Sequence, residues 1–530
     1  MISSTMKVAF VLLFFPILIQ AQNFSWAIGE GGLGVDVGKS IKFDASNHVF
    51  VCGDVAGDPS FRNVVRAGKG LSDAFIAKYE PSGNILWVKI VGGRLVDRAA
   101  DCAVDNNGNS YLTGHFEDSA SIDGQSVRSA GGKDIFIAKF DASGNTLWIK
   151  RFGSSRSEQP YALAYSSDGY IYMSGTFVQS IQFGNFSLAS TNPYQESFLV
   201  KMDLDGNVIW AKNSVAGNTN TTNGISILPD NSIAIAGYFS LSIKWDTINV
   251  TSSSNDFEIF VAKFSKDGDL VWMKSGGGAY EDGVNGIAND PSGNIFITGY
   301  LSGFASFGTQ STGNSGYNDP FVAKYDNNGN CLWINRGEGV GLDIANSITC
   351  DQFGNVFATG FYENSITFSG QNISGLGRQI FVVSYDWNGT LRWVKDAGES
   401  GTDCGLGINV DNNNSVYITG FYLYRSLYDN ILLPLPEAED IFLAKLNQPF
   451  TGIRDLNEVL EAFPNPTSNI LFVEKGAQHE LSIVNTIGQT VLKPSKGTKA
   501  IDVSALENGH YYLRPLNKIY TKGYPFVIAR

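Results

Sequence analysis

The sequence predicts an all-β protein: a seven-bladed β-propeller of four-stranded antiparallel blades, its N-terminal strand closing the last blade, followed by a small C-terminal β-sandwich-like domain. Three periodic markers carry that expectation. A tryptophan recurs as Trp26, Trp87, Trp148, Trp210, Trp272, Trp333 and Trp393, at intervals of 60 to 62 residues. A phenylalanine in the pattern D-x-F-[IVL]-A-K, or a variant of it, recurs on the same period as Phe75, Phe136, Phe198, Phe260, Phe321, Phe381 and Phe442. A glycine closing a T-G or related pair repeats as Gly53, Gly114, Gly175, Gly237, Gly299, Gly360 and Gly420. Three markers in one register define an internal repeat, and a repeat of this length that cannot bury its own faces must stack on its neighbours.

The second unit shows what each repeat contains. DCAVD is a short alternating strand, NNGN a turn, SYLTGHF a second strand, DIFIAKFD a third, ASGN another turn and TLWIKRFG a fourth. Asn-Gly and Gly-Asn pairs supply the positive φ that tight hairpins require. Four-stranded meanders arranged radially make a propeller. The ends of the repeat favour a closed ring over an open stack: Trp26, in NFSWAIGE, precedes the first complete unit, and the last unit reaches DIFLAKL without a Trp strand of its own. Pairing the first segment with the last unit leaves no free edge.

The core D-x-F-x-A-K-x-D-x-x-G-N-x-L-W, complete from Asp134 to Trp148, resembles the SBBP-type β-propeller repeat of bacterial exported proteins, and the resemblance extends over residues 23 to about 449. It implies the fold and an exported location, with no common reaction. The sixth unit departs from the core, carrying Gln379 and Ser384 where Asp and Lys are usual.

Composition agrees with many short strands and tight turns: 59 glycines, 12% aromatic and 17% charged residues. The net charge of −13 argues against a nucleic-acid partner, which would require a basic footprint. Residues 1–22 read as a signal peptide: Lys7, then an apolar run from Val8 to Ile19, then Gln20, Ala21 and Gln22. The run is short for a bilayer span, so the mature chain is expected to carry no transmembrane segment. Five cysteines, an odd number without CxxC spacing, exclude a fully paired disulfide framework and give no zinc signature. The four histidines offer no metal centre, and no cofactor is implied.

If the first strand of each unit lines the channel, both tight turns fall on one rim, and the long, variable second-to-third loops share the other rim with the fourth-to-first connections. Binding residues are expected on that long-loop rim. The fourth-to-first connections repeat an acidic or amide residue: Asp36, Asp97, Glu158, Asn220, Asp282, Asp343 and Asp403. A ring of such groups at one channel mouth would suit a divalent cation or sugar hydroxyls. The bland reading, which is preferred because the feature follows the repeat so strictly, is that each side chain accepts backbone N–H groups of its own turn or of the adjacent blade. Two of these carboxylates, Asp282 and Asp343 for example, would also be what an exported glycoside or peptide hydrolase needs. No nucleophile elbow, HExxH or phosphate loop supports an enzyme, however, and no catalytic or metal-binding residue is assigned. The expected function is that of a binding scaffold for an extracellular glycan or protein.

Past residue 449 the period ends. Residues 450–460 read as a linker and 461–530 as a compact β module: Pro464-Asn465-Pro466 fixes an extended entry, Gly488 a hairpin, and Gly509 a turn into the strand bearing Tyr511. The series P-N-P-T-S, I-x-N-x-x-G-Q-x-V and D-V-S-x-L-x-x-G-x-Y resembles the type A sorting domain of the type IX secretion system. That resemblance implies the secretion machinery as a partner, a Bacteroidota-type cell, and a destination on the outer surface or in the medium. Pro525 in the last segment is expected to break the final strand.

Overall fold

The structure, a computed structural model, describes residues 22–447 apart from 63, 191, 192, 254 and 314–316, and residues 461–529 apart from 464–466, 476–480, 486–489, 496 and 516–523. The chain divides into two compact units, Met1–Pro449 and Phe450–Arg530. Of the segment expected as a signal peptide, residues 1–21 lie outside the described residues, as does the segment 450–460 expected as a linker.

In the first unit the pairings resolve into seven four-stranded antiparallel meanders. Their first strands are Val37–Phe43, Arg98–Val104, Gln159–Ser166, Asn220–Ile227, Gly283–Asn289, Ile344–Cys350 and Ser400–Val410, which define blades 1 to 7. Each first strand packs beside the next, and the seventh returns to the first. Blade 7 is completed by the other end of the chain. Asn23–Glu30 pairs antiparallel with Asp440–Asn447, from Asn23 opposite Asn447 to Glu30 opposite Ile441. The periodic phenylalanines are all fully or almost fully buried between blades, where each contributes roughly 1.5–3 kcal/mol.

Other marker residues join one blade to the next. The periodic tryptophans lie at the seam with the following blade, half-buried except for Trp272 and Trp393. In four of them the indole N–H reaches the next blade's third-to-fourth turn: Trp26 Nε1 donates to Pro81 O (3.3 Å), Trp87 Nε1 to Ala142 O (3.3 Å), Trp272 Nε1 to Asn327 O (3.0 Å) and Trp333 Nε1 to Trp387 O (3.3 Å). The turn glycine is constrained twice. Gly144 has φ 87°, and a Cβ there would stand 2.7 Å from the Trp87 ring. The repeat lysine acts in parallel, Lys139 Nζ donating to Leu204 O (2.8 Å) and Lys324 Nζ to Trp387 O (2.9 Å). In blade 6, where Ser384 replaces that lysine, Arg392 from the neighbouring strand donates to Ser384 Oγ (3.1 Å) and puts a cation over Phe357.

The second-to-third connections, expected as long variable loops, contain a regular device in every blade. Five fold as separate short hairpins, such as Ser180–Phe183 with Phe186–Ala189. In blades 2 and 6 the two strands simply extend into the connection, as in Ser110–Ile122 with Gln125–Phe140. Each connection buries at least one large apolar residue, Phe61, Ile122, Phe183, Trp245, Phe307, Phe368 or Tyr428, and several bury a second two positions earlier, such as Ile181, Ile243 and Ile366. Each also bonds to the segment that leaves the preceding blade. The contacts are Gly31 with Ser60, Gly92 with Ser121, Gly153 with Gln182, Ala216 with Ile243, Gly277 with Ser306, Gly337 with Phe368, and Gly398 N donating to Leu427 O.

The C-terminal unit has two sheets, one of Glu461–Phe463, Ile470–Lys475 and Ala500–Asp502, the other of Thr490–Leu492, Leu481–Asn485, Gly509–Pro515 and Tyr524–Ile528. Leu471, Val473, Leu481, Ile483, Ile501, Val503, Leu513 and Ile528 form its core. Pro525 does not break the last strand, contrary to the expectation. It stands opposite Tyr512 in an edge strand, and an edge strand tolerates a residue without an N–H.

Phe24 is buried, 5.0 Å edge-on to Tyr428. Phe24→Ala is therefore expected to cost about 3–5 kcal/mol and to lower the melting temperature clearly; an unchanged melting curve would show that the N-terminal strand does not hold the ring shut.

Candidate functional site

The seven residues of the acidic series occupy equivalent places, at or just before the first strand of each blade, and all are at most 1% exposed. In six of them, all but Asp403, side-chain oxygens are turned on the protein's own backbone or hydroxyl groups. Asp36 accepts Gly32 N through Oδ2 and Ala56 N through Oδ1, both at 2.8 Å. Asp97 accepts Gly93 N and Glu117 N, Asp282 accepts Gly278 N and Ser302 N, and Asp343 accepts Glu363 N. Glu158 is bonded by the N–H and hydroxyl of Ser154, and Asn220 Oδ1 by Ser197 N and Ser214 Oγ. Asp36, Asp97, Asp282 and Asp343 thus tie the entry to the second strand of their own blade or, for Asp36, to the residue that follows it. Glu158 holds its own turn, and Asn220 reaches back to Ser197 in the third strand of the preceding blade. Their main-chain N–H groups bond backward to the preceding blade: Asp36 to Glu439 O, Asp97 to Ser72 O, Glu158 to Lys133 O, Asp282 to Phe257 O and Asp343 to Asn318 O.

A second set of carboxyl groups stands beside the first. These are the acids of the D-x-F pattern, read from the sequence as fold markers. Asp440 lies near Asp36, Asp73 near Asp97, Asp134 near Glu158, Glu258 near Asp282 and Asp319 near Asp343. Burial, reinforced by these neighbours, pushes the carboxyl groups of Asp36, Glu158, Asp282 and Asp343 up to about 7, that of Asp97 to about 6, and burial takes Asp403 to about 8. Among the described residues no group of three or more His, Cys, Asp or Glu is placed to hold a metal ion.

The first strands surround a cavity of about 610 Å³ lined by Lys39, Lys42, Asp101, Tyr161, Asn223, Asn285 and Asn346 among others. A β-bulge in every first strand sets this lining: in each strand one residue is left unpaired, and Lys39, Tyr161, Asn223, Asn285 and Asn346 are five of the seven. Several of these side chains close onto the neighbouring blade. Asn223 Nδ2 donates to Val284 O, Asn285 Nδ2 to Ala345 O, Asn346 Nδ2 to Gly405 O and Lys39 Nζ to Ala99 O, all within 2.8–3.0 Å. The amides and Lys39 therefore fasten the inner strands together as they make the channel polar. Sequence reasoning missed this layer, although Asn223, Asn285 and Asn346 share one repeat position.

The two rims differ in chemistry. On one, Asp141, Asp203 and Asp326 each accept two backbone N–H groups of their own turn, and their second oxygens accept an Asn side chain. On the other, large apolar side chains stand free: Leu33, Leu71, Tyr280, Phe304, Tyr317 and Val340 are 56–79% exposed.

Of the sorting-motif residues, Gly509 opens the strand Gly509–Pro515, and Tyr511 donates its hydroxyl to Glu507 O (3.0 Å). Pro464, Asn465, Pro466 and Gly488 lie outside the described residues. Residues 461–527 match the family model described as the secretion system C-terminal sorting domain. The C-terminal unit is a sorting domain. It marks the protein for type IX secretion, and hence for the outer cell surface or the medium.

Over 502 residues the chain is 25% identical to the uncharacterized WD repeat-containing protein L264 of Acanthamoeba polyphaga mimivirus, covering 75% of this chain and 36% of that protein. It is 24% identical over 297 residues to the regulatory protein FlaEY of Caulobacter vibrioides, covering 51% of this chain and 31% of the relative. It thus spans about a third of the length of these relatives. Among solved structures, puromycin hydrolase is similar at 11% identity and a TM-score of 0.39, covering 82% of this chain and 58% of that one.

The raised carboxyl groups have a consequence for stability. Each holds its proton more tightly folded than unfolded, so its contribution is complete below about pH 4 and is lost as pH rises through the folded value. The carboxyl groups held low, such as Asp141 and Asp203, lose stability only at pH below about 4. His115, held down to about 3 by burial and nearby cations, opposes the trend up to about pH 6.5. The melting temperature is therefore expected to fall by about 5 °C or more between pH 6 and pH 8.5; a flat or rising profile in a thermal melt would refute it.

Proposed function

We propose that the protein is an exported, non-enzymatic β-propeller scaffold, of the SBBP-repeat kind, that binds an extracellular glycan or protein through its long-loop rim. Residues 1–22 serve as the signal peptide across the inner membrane. The C-terminal domain then engages the type IX machinery for passage across the outer membrane of a Bacteroidota-type cell.

The difference between the rims carries this reading. The turn rim closes its polar groups on itself, whereas the loop rim displays side chains that make little contact with the protein's own surface. Tyr280, Phe304 and Tyr317 are 60%, 56% and 79% exposed, and apolar groups left in water across one face mark an interaction surface. The regular hairpins beneath favour binding, since they hold the rim in shape before a ligand arrives. In this reading the acidic series latches the blades, which its burial and its backbone partners support, and the rim needs neither a cofactor nor a divalent cation.

Two measurements test the proposal. Deleting residues 461–530 should retain the propeller in the periplasm, and recovery of the truncated chain from the medium would overturn the sorting role. Full-length protein should bind glycans or envelope proteins without releasing a product, and Tyr280→Ala with Tyr317→Ala should weaken binding several-fold at an unchanged melting temperature. Turnover of the ligand, or binding indifferent to every rim substitution, would reject the scaffold.

A further inference from the structure

The arginines are unevenly placed. Of 14 in the chain, seven fall between residues 62 and 156, and the next after Arg156 is Arg336. Six of the seven, Arg62, Arg66, Arg94, Arg98, Arg128 and Arg156, are exposed and lie in or beside the rim connections of blades 1 and 2, as do exposed Lys69 and half-buried Lys133. The acids exposed or half-exposed on the same connections are fewer than the cations: Asp58, Glu117, Asp118 and Asp123, the last paired with Lys89 at 2.7 Å. Within a chain of net charge −13, this arc is basic.

The loops that carry these cations abut one another. Leu71 N donates to Leu95 O (3.3 Å), a Cβ on Gly70 would meet Gly93 O at 2.1 Å, and Lys69 Nζ reaches Ser121 O (2.5 Å). Farther along, Gly132 N donates to Arg156 O (3.1 Å). Arg66, Arg94, Arg128 and Lys133 form no ion pair among the described residues, and Arg98 reaches Asp54 only at 3.9 Å. On blades 6 and 7 the rim arginines are neutralised: Arg378 pairs with Glu363 at 3.1 Å and Arg425 with Glu399 at 2.9 Å. Lys133, together with Arg98 and with Lys39, which itself pairs with Asp54 at 2.7 Å, adds to burial in holding His115 far below the usual histidine range.

Free guanidinium groups spread over several loops suit a ligand that repeats its negative charge, because each planar fork takes a carboxylate or sulfate in two parallel hydrogen bonds. A polymer is favoured over a single ion because the cations line an arc rather than a pocket. Resting on the rim-binding reading above, we infer that the rim over blades 1 and 2 binds an acidic polysaccharide, its carboxylate or sulfate groups held by Arg66, Arg94, Arg98, Arg128 and Lys133. The exposed aromatic groups continuing along the same rim, Tyr280 and Phe304, give sugar rings a flat surface to stack on.

The test uses full-length protein on immobilised polygalacturonate, dextran sulfate, neutral dextran and duplex DNA. Retention on one or both acidic saccharides is expected, whichever acid group is preferred, weakening about tenfold or more when salt rises from about 50 to 200 mM. The triple variant Arg66→Glu, Arg94→Glu, Arg128→Glu should lose at least that much with its melting temperature unchanged, whereas Arg425→Glu, at a rim arginine of blade 7 already paired with Glu399, should change little. Retention of the triple variant, or equal binding of wild type to neutral dextran, overturns the inference. Equal binding to duplex DNA overturns it too, because the surface would then read charge alone. If the Tyr280 and Tyr317 substitutions abolish binding of another ligand while the triple variant keeps it, this inference falls and the rim-binding proposal stands; if none of these substitutions affects binding, both fall.

Discussion

Everything in the propeller follows from one constraint: a four-stranded blade cannot satisfy its own turns, so each blade is completed by its neighbour. The indole of Trp87 and the ammonium of Lys78 both donate to Ala142 O, in the turn of the following blade. At the opposite rim, Gly92 and Ser121 bond across the same junction, and the N–H of Asp97 reaches back to Ser72 O. Along the channel, bulged residues bond the next inner strand. A junction is therefore fastened at both rims and at the axis, by groups that would be unpaired in an isolated blade. Buried donors and acceptors left unpaired cost about 1–3 kcal/mol each, and this is what makes an open end expensive and the return of the N-terminal strand to blade 7 necessary.

The same constraint accounts for the buried carboxyl groups. Where a connection passes from one blade to the next, several main-chain N–H groups point at one spot, and a carboxylate accepts more of them than any neutral side chain of its size. Asp282 serves the N–H groups of Gly278 and Ser302 at once. The nearby glycine is part of the device, since a Cβ on Gly277 would stand 2.7 Å from Asp282 Oδ2. Desolvation opposes this use of a charge, and the acid of the preceding blade opposes it further. Protonation relieves both, so these groups titrate near neutrality for reasons of packing. A raised carboxyl value in this fold therefore says nothing about catalysis unless an oxygen also faces a cavity.

How much of this was legible in the sequence depends on how strictly a feature repeats in residue type. Trp, Phe, the turn glycines and the acidic series recur as the same or similar residues at a fixed interval, and they gave the blades, the closing strand and the two rims. The second-to-third hairpins escaped notice because burying bulky apolar groups there fixes no residue type. Ile122, Trp245 and Tyr428 serve equally well, and loops of unequal length shift their spacing. The bulged residues escaped for another reason: an extra residue shifts the phase of the alternation, which a strand of seven or eight residues is too short to reveal, and the position is filled by Lys39, Tyr161 and Asn285 alike. Pro525 was misread because a proline breaks a strand only where its missing N–H faces a partner, and its edge placement is a tertiary fact.

These seams also bear on where function can reside. Polar groups that hold blades together cannot change freely, and they occupy much of the channel wall and the turn rim. Asn346, for instance, cannot turn to a ligand without releasing Gly405 O. On the loop rim each hairpin is held by buried apolar residues, a short bond to the preceding blade and, in blades 2, 4 and 7, a tip aspartate (Asp123, Asp246 or Asp429) bonded to fourth-strand residues. The exposed side chains between these points make no repeated contact and can vary independently from blade to blade. That independence permits an uneven face, with free arginines over blades 1 and 2, exposed aromatic groups beyond them, and paired charges over blades 6 and 7. A ring built from near-identical seams can thus present a face with no rotational symmetry, and a ligand that reads such a face is held in one orientation.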